Sequence, residues 1–376
     1  MSARAYPFRY EIIDGVRGLA ALTVVLHHLQ VVDMGSYAVI VFFVISGYCI
    51  AAATEASRRR GLTFRSFMAR RLRRIYPPYF FAVLFFVLTR LAKAATSAHN
   101  ELVRPWTDWL QTLTLTQWVS LPFHPVQYAQ QNPKLIVAAF WSLNYEEQFY
   151  LVMAVALMLS LGRGLRVAWL VLALGVMGLA WNFAWPDGWI SGFFLEYWAE
   201  FALGAVLFYV LCVYPGRAVR TAFVLSAGLL ALYCAYRLAP WHGEPHPSGR
   251  AYEELAAASG FAILMFFLRP LSAWIAQHRL WKPFAALGAV SYSLYLVHQF
   301  NLKVVEWAAN RIAGHLPESV RLGVMVVMHV TIASAFWYLC ERPFLGRKTG
   351  AAPAPVNAEG LPPPASGQLA AEGVAP

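Results

Sequence analysis

Residues 11–32, EIIDGVRGLAALTVVLHHLQVV, form an apolar stretch long enough to cross a bilayer, yet the stretch carries several ionisable side chains. An α-helix turns about 100° and rises about 1.5 Å per residue. Arg17 and His28 therefore share one stripe of the helix, about 16 Å apart along its axis, whereas His27 points about 80° away. Ionisable groups in a membrane helix usually face a protein interior or a wet cavity. The stretch predicts a first membrane helix that forms one wall of a site.

The rest of the chain is also unusually apolar. Of its 376 residues, 59% are hydrophobic and 13% are charged, whereas a soluble domain is about 25% charged. Apolar segments of membrane-spanning length recur along it, which predicts an all-α, polytopic transmembrane helical bundle with about ten spans. The segments lie at about 12–32, 36–54, 75–95, 136–161, 165–185, 193–213, 219–238, 252–269, 284–306 and 320–341.

The distribution of Lys and Arg predicts how the bundle is oriented. Basic residues concentrate in alternate loops, above all in residues 55–75, and such loops usually lie in the cytoplasm. Both termini are then cytoplasmic, in a multi-pass protein of the bacterial cytoplasmic (inner) membrane. Residues 1–346 form the transmembrane domain, and the Ala/Pro/Gly-rich tail 347–376 is expected to be disordered. Loop charge also accounts for the net charge of +11, so no nucleic-acid partner is expected.

His28 is the candidate general base of the first helix. An imidazole can take a proton from a hydroxyl as that hydroxyl attacks an acyl carbonyl. The simpler interpretation of such a histidine is a hydrogen-bonded residue within the bundle. Asp14 lies three residues before Arg17 and is expected to form a local ion pair with it.

Arg71 and Arg74 lie in the segment FMARRLRRIYPPYF, residues 67–80. Their spacing places both guanidiniums on one helix face, where they suit a phosphate or pyrophosphate that arrives from the cytoplasm. The alternative is a basic stop signal whose side chains reach lipid headgroups. Pro77 and Pro78 are expected to fix the start of the following helix.

Two further segments carry polar residues at membrane depth. Glu146 and Glu147 in FWSLNYEEQFYLV (140–152) point about 100° apart, so they are expected to have different tasks, and Tyr150 shares the face of Glu146. One carboxylate is expected to orient or charge-balance His28; a structural ion pair is the alternative. In LGAVSYSLYLVHQF (287–300), a stripe of polar side chains contacts either a substrate or a neighbouring helix. That stripe consists of Ser291, Tyr295 and His298.

These motifs together resemble the acyltransferase-3 family of bacterial integral-membrane O-acyltransferases. IIDGVRGLAALTVVLHH resembles the N-terminal signature, with Arg17 and His28 as its basic residue and histidine. RLRR at 71–74 matches its Arg-x-x-Arg element. VFFVISGYCI, WSLNYEEQFY, SYSLYLVH and ERPF match further blocks in order, over about residues 10–346.

The resemblance implies an enzyme that transfers an acyl group, usually acetyl from acetyl-CoA, to a hydroxyl of a carbohydrate or other acceptor. Acyl-CoA would be the donor substrate, with Arg17, Arg71 and Arg74 on its phosphates and His28, Glu146 and Glu147 as catalytic residues. No bound cofactor and no metal ligands are expected, since no Cys or His spacing suggests zinc. The oligomeric state stays open.

Several alternatives stay open at this point. The acceptor is either a cell-surface polysaccharide, lipopolysaccharide or exopolysaccharide, or a small molecule, and transfer is either direct or through an acyl-enzyme. A transporter or flippase would use the same intramembrane residues without acyl-CoA turnover. Asn144 and Tyr145 stand where the resembled family usually has small or apolar residues, which is expected to reshape the acceptor side.

Overall fold

The structure, a computed structural model, describes residues 10–94, 102–119, 137–184, 192–239 and 249–345. Every regular element in these ranges is helical, so the predicted all-α class is confirmed. The tail predicted to be disordered lies outside the described residues.

The helices follow the predicted apolar segments, with a few short elements between them. They are α1 (Ile13–His28), α2 (Gly35–Arg59), α3 (Phe64–Ala94), α4 (Trp106–Thr114), α5 (Trp141–Arg163), α6 (Val167–Ala184), α7 (Leu195–Phe208), α8 (Arg217–Leu238), α9 (Gly249–Leu268), α10 (Ser272–Gln277), α11 (Lys282–Ala289), α12 (Ser291–Ala313) and α13 (Glu318–Phe336). Tyr209–Val213 and Trp337–Glu341 extend α7 and α13 as π-helical turns.

Among the described residues, seven helical stretches are long and apolar enough to cross a membrane. They are Gly35–Arg59, Phe64–Lys93, Val167–Ala184, Leu195–Val213, Arg217–Leu238, Arg250–Gln277 and Glu318–Phe344. The helices that carry most of the predicted site residues, α1, α5 and α12, are shorter or more polar and are not among the seven. The count of about ten spans therefore stays a prediction.

The expectation that Pro77 and Pro78 start a new helix is wrong, because α3 runs through both prolines. Proline removes a backbone donor, but membrane helices tolerate it where neighbouring side chains satisfy the freed groups. Pro77 and Pro78 leave the carbonyls of Arg73 and Arg74 without their helical donors. Next to these, the Tyr292 hydroxyl of α12 donates to the Ile75 carbonyl at 3.0 Å. Arg71 and Arg74 thus lie on the same rigid helix as the apolar part of α3.

Close backbone contacts hold the helices around the site. A side chain at Gly47 of α2 would collide with the Phe201 carbonyl, and one at Gly204 of α7 would collide with the Val44 carbonyl. Small residues allow membrane helices to approach in this way, and van der Waals packing then stabilises the pair. Since α2 is fixed against α7, the residues on their facing sides keep constant positions.

The chain direction gives the bundle two ends. α1 runs from the Arg17 end to the His28 end, and α2 begins next to the His27 ring at Gly35, so α2 runs back toward the Arg17 end. The bundle thus has an Arg17 end and a His28 end.

Candidate active site

Arg17 and His28 line two adjoining cavities. The cavity at His28 has a volume of about 260 Å³, and the cavity at Arg17 has a volume of about 50 Å³. Val39 and Tyr295 line both of them. The stripe predicted from helical phase is therefore the wall of a divided passage rather than of one open channel.

The His28 cavity has aromatic walls. Trp141, Tyr145 and Tyr197 line it and pack around Phe43, with ring centroids 6.0, 6.2 and 5.0 Å from that of Phe43. Pockets with apolar, aromatic walls and a few polar groups are typical small-ligand sites. Asn144 also lines the cavity. Asn144 and Tyr145, the two residues that differ from the pattern of the resembled family, thus line the same cavity as His28.

Glu196, which sequence analysis missed, is the carboxylate in this cavity. The Tyr145 hydroxyl donates to the Glu196 carboxylate. The Gly192 N–H lies 2.5 Å from the Tyr145 oxygen and 3.1 Å from Glu196 Oε2. The sequence did carry a signal, because Glu196 and Glu200 interrupt an apolar segment, and intramembrane carboxylates are costly unless they serve a purpose.

A guanidinium lies at the same cavity. Arg250 Nε donates to Glu254 Oε1 at 2.9 Å, and its terminal nitrogen lies 3.4 Å from the Tyr197 hydroxyl. The Arg250 side chain is 67% exposed, whereas that of Glu254 is 7% exposed. The cavity therefore combines a solvent-accessible cation, Arg250, with the carboxylate of Glu196. Both groups can bind the hydroxyls of a polar ligand.

His298 is the neighbour of His28. Their ring centroids are 5.0 Å apart, and His298 is fully buried. His298 Nδ1 lies 2.8 Å from the Tyr295 carbonyl and 3.2 Å from the Leu294 carbonyl. Carbonyls only accept, so this geometry assigns the proton to Nδ1 and leaves a lone pair on Nε2. That buried Nε2 has no hydrogen-bond partner in the described part of the chain.

His27 also lines the His28 cavity, although helical phase turns it away from the Arg17–His28 stripe. Its Nδ1 lies 3.3 Å from the Val32 carbonyl and 3.4 Å from the Asp33 carboxylate. Both partners belong to the connection between α1 and α2, so the His27 imidazole is engaged by that connection.

Several of the predicted residues line the Arg17 cavity. Glu146 and Ser291 line it together with Ser142 and Tyr295. Ser291 Oγ donates to the Gly288 carbonyl at 2.8 Å, so this member of the predicted stripe also has a structural bond.

Tyr295, together with Val39, forms the partition between the two cavities. Its hydroxyl donates to the Ala139 carbonyl and lies 2.7 Å from Ser142 Oγ. These bonds hold the ring between α5 and α12. Tyr295 was expected to contact either the acceptor or a neighbouring helix. In this structure its hydroxyl makes a contact between helices.

Arg71 and Arg74 both lie near Tyr150. The guanidinium carbon of Arg71 is 5.4 Å from the centre of the Phe67 ring and 5.7 Å from that of the Tyr150 ring. The Tyr150 hydroxyl donates to Glu146 Oε1 at 2.6 Å. Arg74 interacts electrostatically with both Tyr150 and Glu146. The predicted arginine pair is therefore connected through Tyr150 to Glu146, which lines the Arg17 cavity.

A second carboxylate supports this cluster. Glu341, in the ERPF block, is buried, and Ser293 Oγ donates to it at 2.5 Å. Its charge interacts with those of Arg74 and Arg17. Glu341 and Glu146 thus lie near enough to the basic residues Arg17 and Arg74 to interact with their charges.

Six predicted residues line neither cavity: Arg71, Arg74, Tyr150, His298, Glu147 and Asp14. Glu147 Oε1 is 2.7 Å from the Tyr76 hydroxyl, and Glu147 faces α3 and not His28. Asp14 is exposed in the first turn of α1, where a carboxylate is favourable to the helix dipole. The expected Asp14–Arg17 ion pair is not formed, because Arg17 faces the cavity.

Comparison with known proteins identifies the family. Residues 10–340 match the Acyl_transf_3 family, described as an acyltransferase domain. The chain belongs to this family. The acyltransferase is 30% identical over 329 residues to the "exopolysaccharide production protein ExoZ" of Rhizobium meliloti (strain 1021), and the match covers 85% of this chain and 92% of ExoZ.

Staphylococcal relatives match over shorter lengths. A "putative O-acetyltransferase" of Staphylococcus aureus (strain COL) is 27% identical over 44% of this chain and 28% of its own length. "O-acetyltransferase OatA" of S. aureus (strain NCTC 8325 / PS 47) is 30% identical over 40% of this chain and 25% of its own. The match thus covers about a quarter of these two proteins, and no solved structure matches the acyltransferase. The family match and the seven apolar helices together indicate a multi-pass membrane acyltransferase.

Proposed function

We propose that this acyltransferase moves an acyl group, normally acetyl, from acyl-CoA to a hydroxyl of a carbohydrate, with His28 as the general base. The observation that carries the proposal is the pair of adjoining cavities with Arg17 in one and His28 in the other. The bundle has about ten spans in the bacterial inner membrane, with both termini cytoplasmic. The Arg17 end then faces the cytoplasm, where acyl-CoA is available.

The donor binds at the Arg17 end. The CoA phosphates contact Arg17, Arg71 and Arg74, since guanidiniums bind phosphate through charge-assisted, bidentate hydrogen bonds. The pantetheine arm follows α1 and presents the thioester at Tyr295, next to His28. The axial rise of about 16 Å between Arg17 and His28 suits an extended arm.

The transfer step is an acyl substitution. His28 takes the proton of the acceptor hydroxyl, the oxygen forms a bond to the thioester carbonyl carbon, and the carbon–sulfur bond then breaks. The proton on His28 passes to the departing CoA thiolate, which restores the neutral imidazole. His298 is a positioning residue here, because its free Nε2 can accept the N–H of His28 and fix which nitrogen faces the acceptor.

The acceptor occupies the aromatic cavity at His28. Trp141 and Tyr197 offer ring faces for the apolar side of a sugar, while Glu196 and Arg250 offer partners for its hydroxyls. The name of ExoZ, an exopolysaccharide production protein, supports a carbohydrate acceptor. The carboxylate that binds the acceptor is then Glu196, while Glu146 belongs to the donor side.

The experiment uses purified protein in lipid nanodiscs with acetyl-labelled acetyl-CoA and an exopolysaccharide precursor. Transfer predicts equal amounts of released CoA and labelled carbohydrate. Binding of the carbohydrate without CoA release would instead favour a transporter.

Glu196→Gln is expected to raise the KM for the carbohydrate about tenfold and to leave the KM for acetyl-CoA unchanged. A hydrogen bond to a charged group contributes about 1.5–3 kcal/mol, and the amide keeps the shape but loses the charge. Glu253→Gln is the control, because Glu253 is exposed on α9. A change confined to the KM for acetyl-CoA would contradict the assignment of this cavity to the acceptor.

Tyr295→Phe is expected to increase acetyl-CoA hydrolysis relative to transfer about fivefold. The phenyl ring cannot bond Ser142 and the Ala139 carbonyl, and one lost hydrogen bond costs about 1 kcal/mol. The looser partition admits water to the thioester. The exposed Tyr338 supplies the matched Tyr→Phe control. An unchanged ratio of hydrolysis to transfer would show that Tyr295 does not separate the two substrates.

A further inference from the structure

We infer that a third cavity, at the Arg17 end of the bundle, binds a phosphate group. Its volume is about 380 Å³, and it is formed by the end of α2, the α5–α6 turn and the π-helical turn after α7. None of its lining residues lines the Arg17 or His28 cavity, so the acyl-transfer site does not account for it. Three kinds of anion-binding group meet there.

The first group is a set of arginines held in position. Buried Glu55 accepts from Arg58 at 2.8 and 2.9 Å and from Arg59 Nε at 2.8 Å. One carboxylate thus fixes two guanidiniums. Arg166 lines the same cavity and adds a third cation, so the cavity keeps a net positive charge.

The second group is the N-terminus of α6. Gly164 has a φ of +66° and ends α5, so the chain can reverse and begin α6 at Val167. Val167 and Ala168 line the cavity, and the first turn of this 18-residue helix carries no acidic residue. Unsatisfied N–H groups at a helix N-terminus favour anions, and phosphate in particular.

The third group is the Tyr209 hydroxyl. Tyr209 is 4% exposed and lines the cavity, yet its hydroxyl has no hydrogen-bond partner in the described part of the chain. A buried donor without a partner has a free-energy cost, because it has lost its hydrogen bond to water. Tyr209 begins a π-helical turn, a feature that is frequent at functional sites. A phosphate oxygen would accept from this hydroxyl and remove the cost.

The ligand is a phosphate ester, and two sources share that chemistry. One is the headgroup of an anionic phospholipid in the surrounding leaflet. The other is the 3′-phosphate of acyl-CoA, with the CoA pyrophosphate at Arg17, Arg71 and Arg74, and this source rests on the proposed function. In both cases the arginines, the helix N-terminus and Tyr209 bind the same group.

The test compares the Arg58→Gln/Arg166→Gln double variant with wild type. Native mass spectrometry measures how much phosphatidylglycerol the protein retains relative to phosphatidylcholine. Equilibrium binding measures the affinity for CoA relative to that for 3′-dephospho-CoA. In one of the two assays we expect the variant's preference, for phosphatidylglycerol or for CoA, to fall at least fivefold. The assay that changes identifies the source of the phosphate. Arg217→Gln/Arg220→Gln removes the same charge from exposed positions of α8 and should keep both preferences.

Tyr209→Phe is a second variant that is not expected to impair folding, because it removes only the hydroxyl that has no hydrogen-bond partner among the described residues. We expect lower phosphate affinity in the same assay with a thermal midpoint equal to or above that of wild type. Unchanged preferences in both assays for all variants would overturn the site. Both readouts are binding measurements, so they are independent of acyl transfer, and a failure of catalysis by His28 would leave them intact.

Discussion

His28→Gln is expected to slow acceptor-dependent CoA release by about 10²–10⁴-fold, the usual contribution of a general base. Glutamine keeps a polar side chain of similar reach but cannot take the hydroxyl proton at neutral pH. The KM for acetyl-CoA should stay within about threefold of wild type, because the donor phosphates bind at the Arg17 end. The measurement is the initial rate of thiol release with and without the carbohydrate.

His27→Gln provides a stringent comparison, since it changes the adjacent residue in the same way. The His27 imidazole is engaged by the Val32 carbonyl and Asp33, so the loss of rate should be less than about tenfold. If the His27 variant lost more activity than the His28 variant, the base would have been assigned to the wrong residue. Equal, slow CoA release by wild type and His28→Gln would favour a transporter without acyl-CoA turnover.

Arg17→Gln is expected to raise the KM for acetyl-CoA about 10- to 100-fold with a smaller effect on kcat. A charge-assisted hydrogen bond to phosphate contributes about 1.5–3 kcal/mol, and it is made equally to bound donor and transition state. Arg17→Lys keeps the charge but loses the bidentate geometry, so its KM should lie between those of wild type and the glutamine variant.

Arg73→Gln is the control for the basic cluster. Arg73 belongs to the same RLRR segment as Arg71 and Arg74 but is exposed on α3. Its KM for acetyl-CoA should remain within about twofold of wild type, as expected for a surface charge. A larger increase for Arg73→Gln than for Arg17→Gln would mean that general surface charge, and not the internal cluster, attracts the donor.

Features that depend on one helix were predictable from the sequence. Helical phase alone placed Arg17 and His28 on a common stripe, and the structure has both lining the divided passage. The spacing of Arg71 and Arg74 likewise predicted that they share a helix face, and both lie near Tyr150. These relations follow from the fixed pitch of an α-helix, which holds whatever the helix packs against.

Features that depend on how distant helices pack could not be predicted. Glu196 meets Tyr145, and His28 meets His298, only because α7 and α12 fold back onto α5 and α1. The same limit explains Glu147, whose helix was identified correctly although its bond to the Tyr76 hydroxyl was not. Side-chain periodicity gives the buried face of a helix but not its neighbour.

The prolines of α3 show another limit. Pro77 and Pro78 usually mark a helix start, but in α3 the tertiary environment overrides that preference, and α12 packs there with its Tyr292 hydroxyl on the adjacent Ile75 carbonyl. A local sequence rule cannot include a partner more than two hundred residues away.

The most direct measurement is the structure of the acyltransferase bound to a non-hydrolysable acetyl-CoA analogue and a carbohydrate acceptor. We predict that the phosphates contact Arg17, Arg71 and Arg74 and that the acyl carbon lies at Tyr295, about 3–3.5 Å from an acceptor hydroxyl bonded to His28. The opposite arrangement, with the acyl group away from Tyr295 and no acceptor hydroxyl at His28, would contradict His28 as the base.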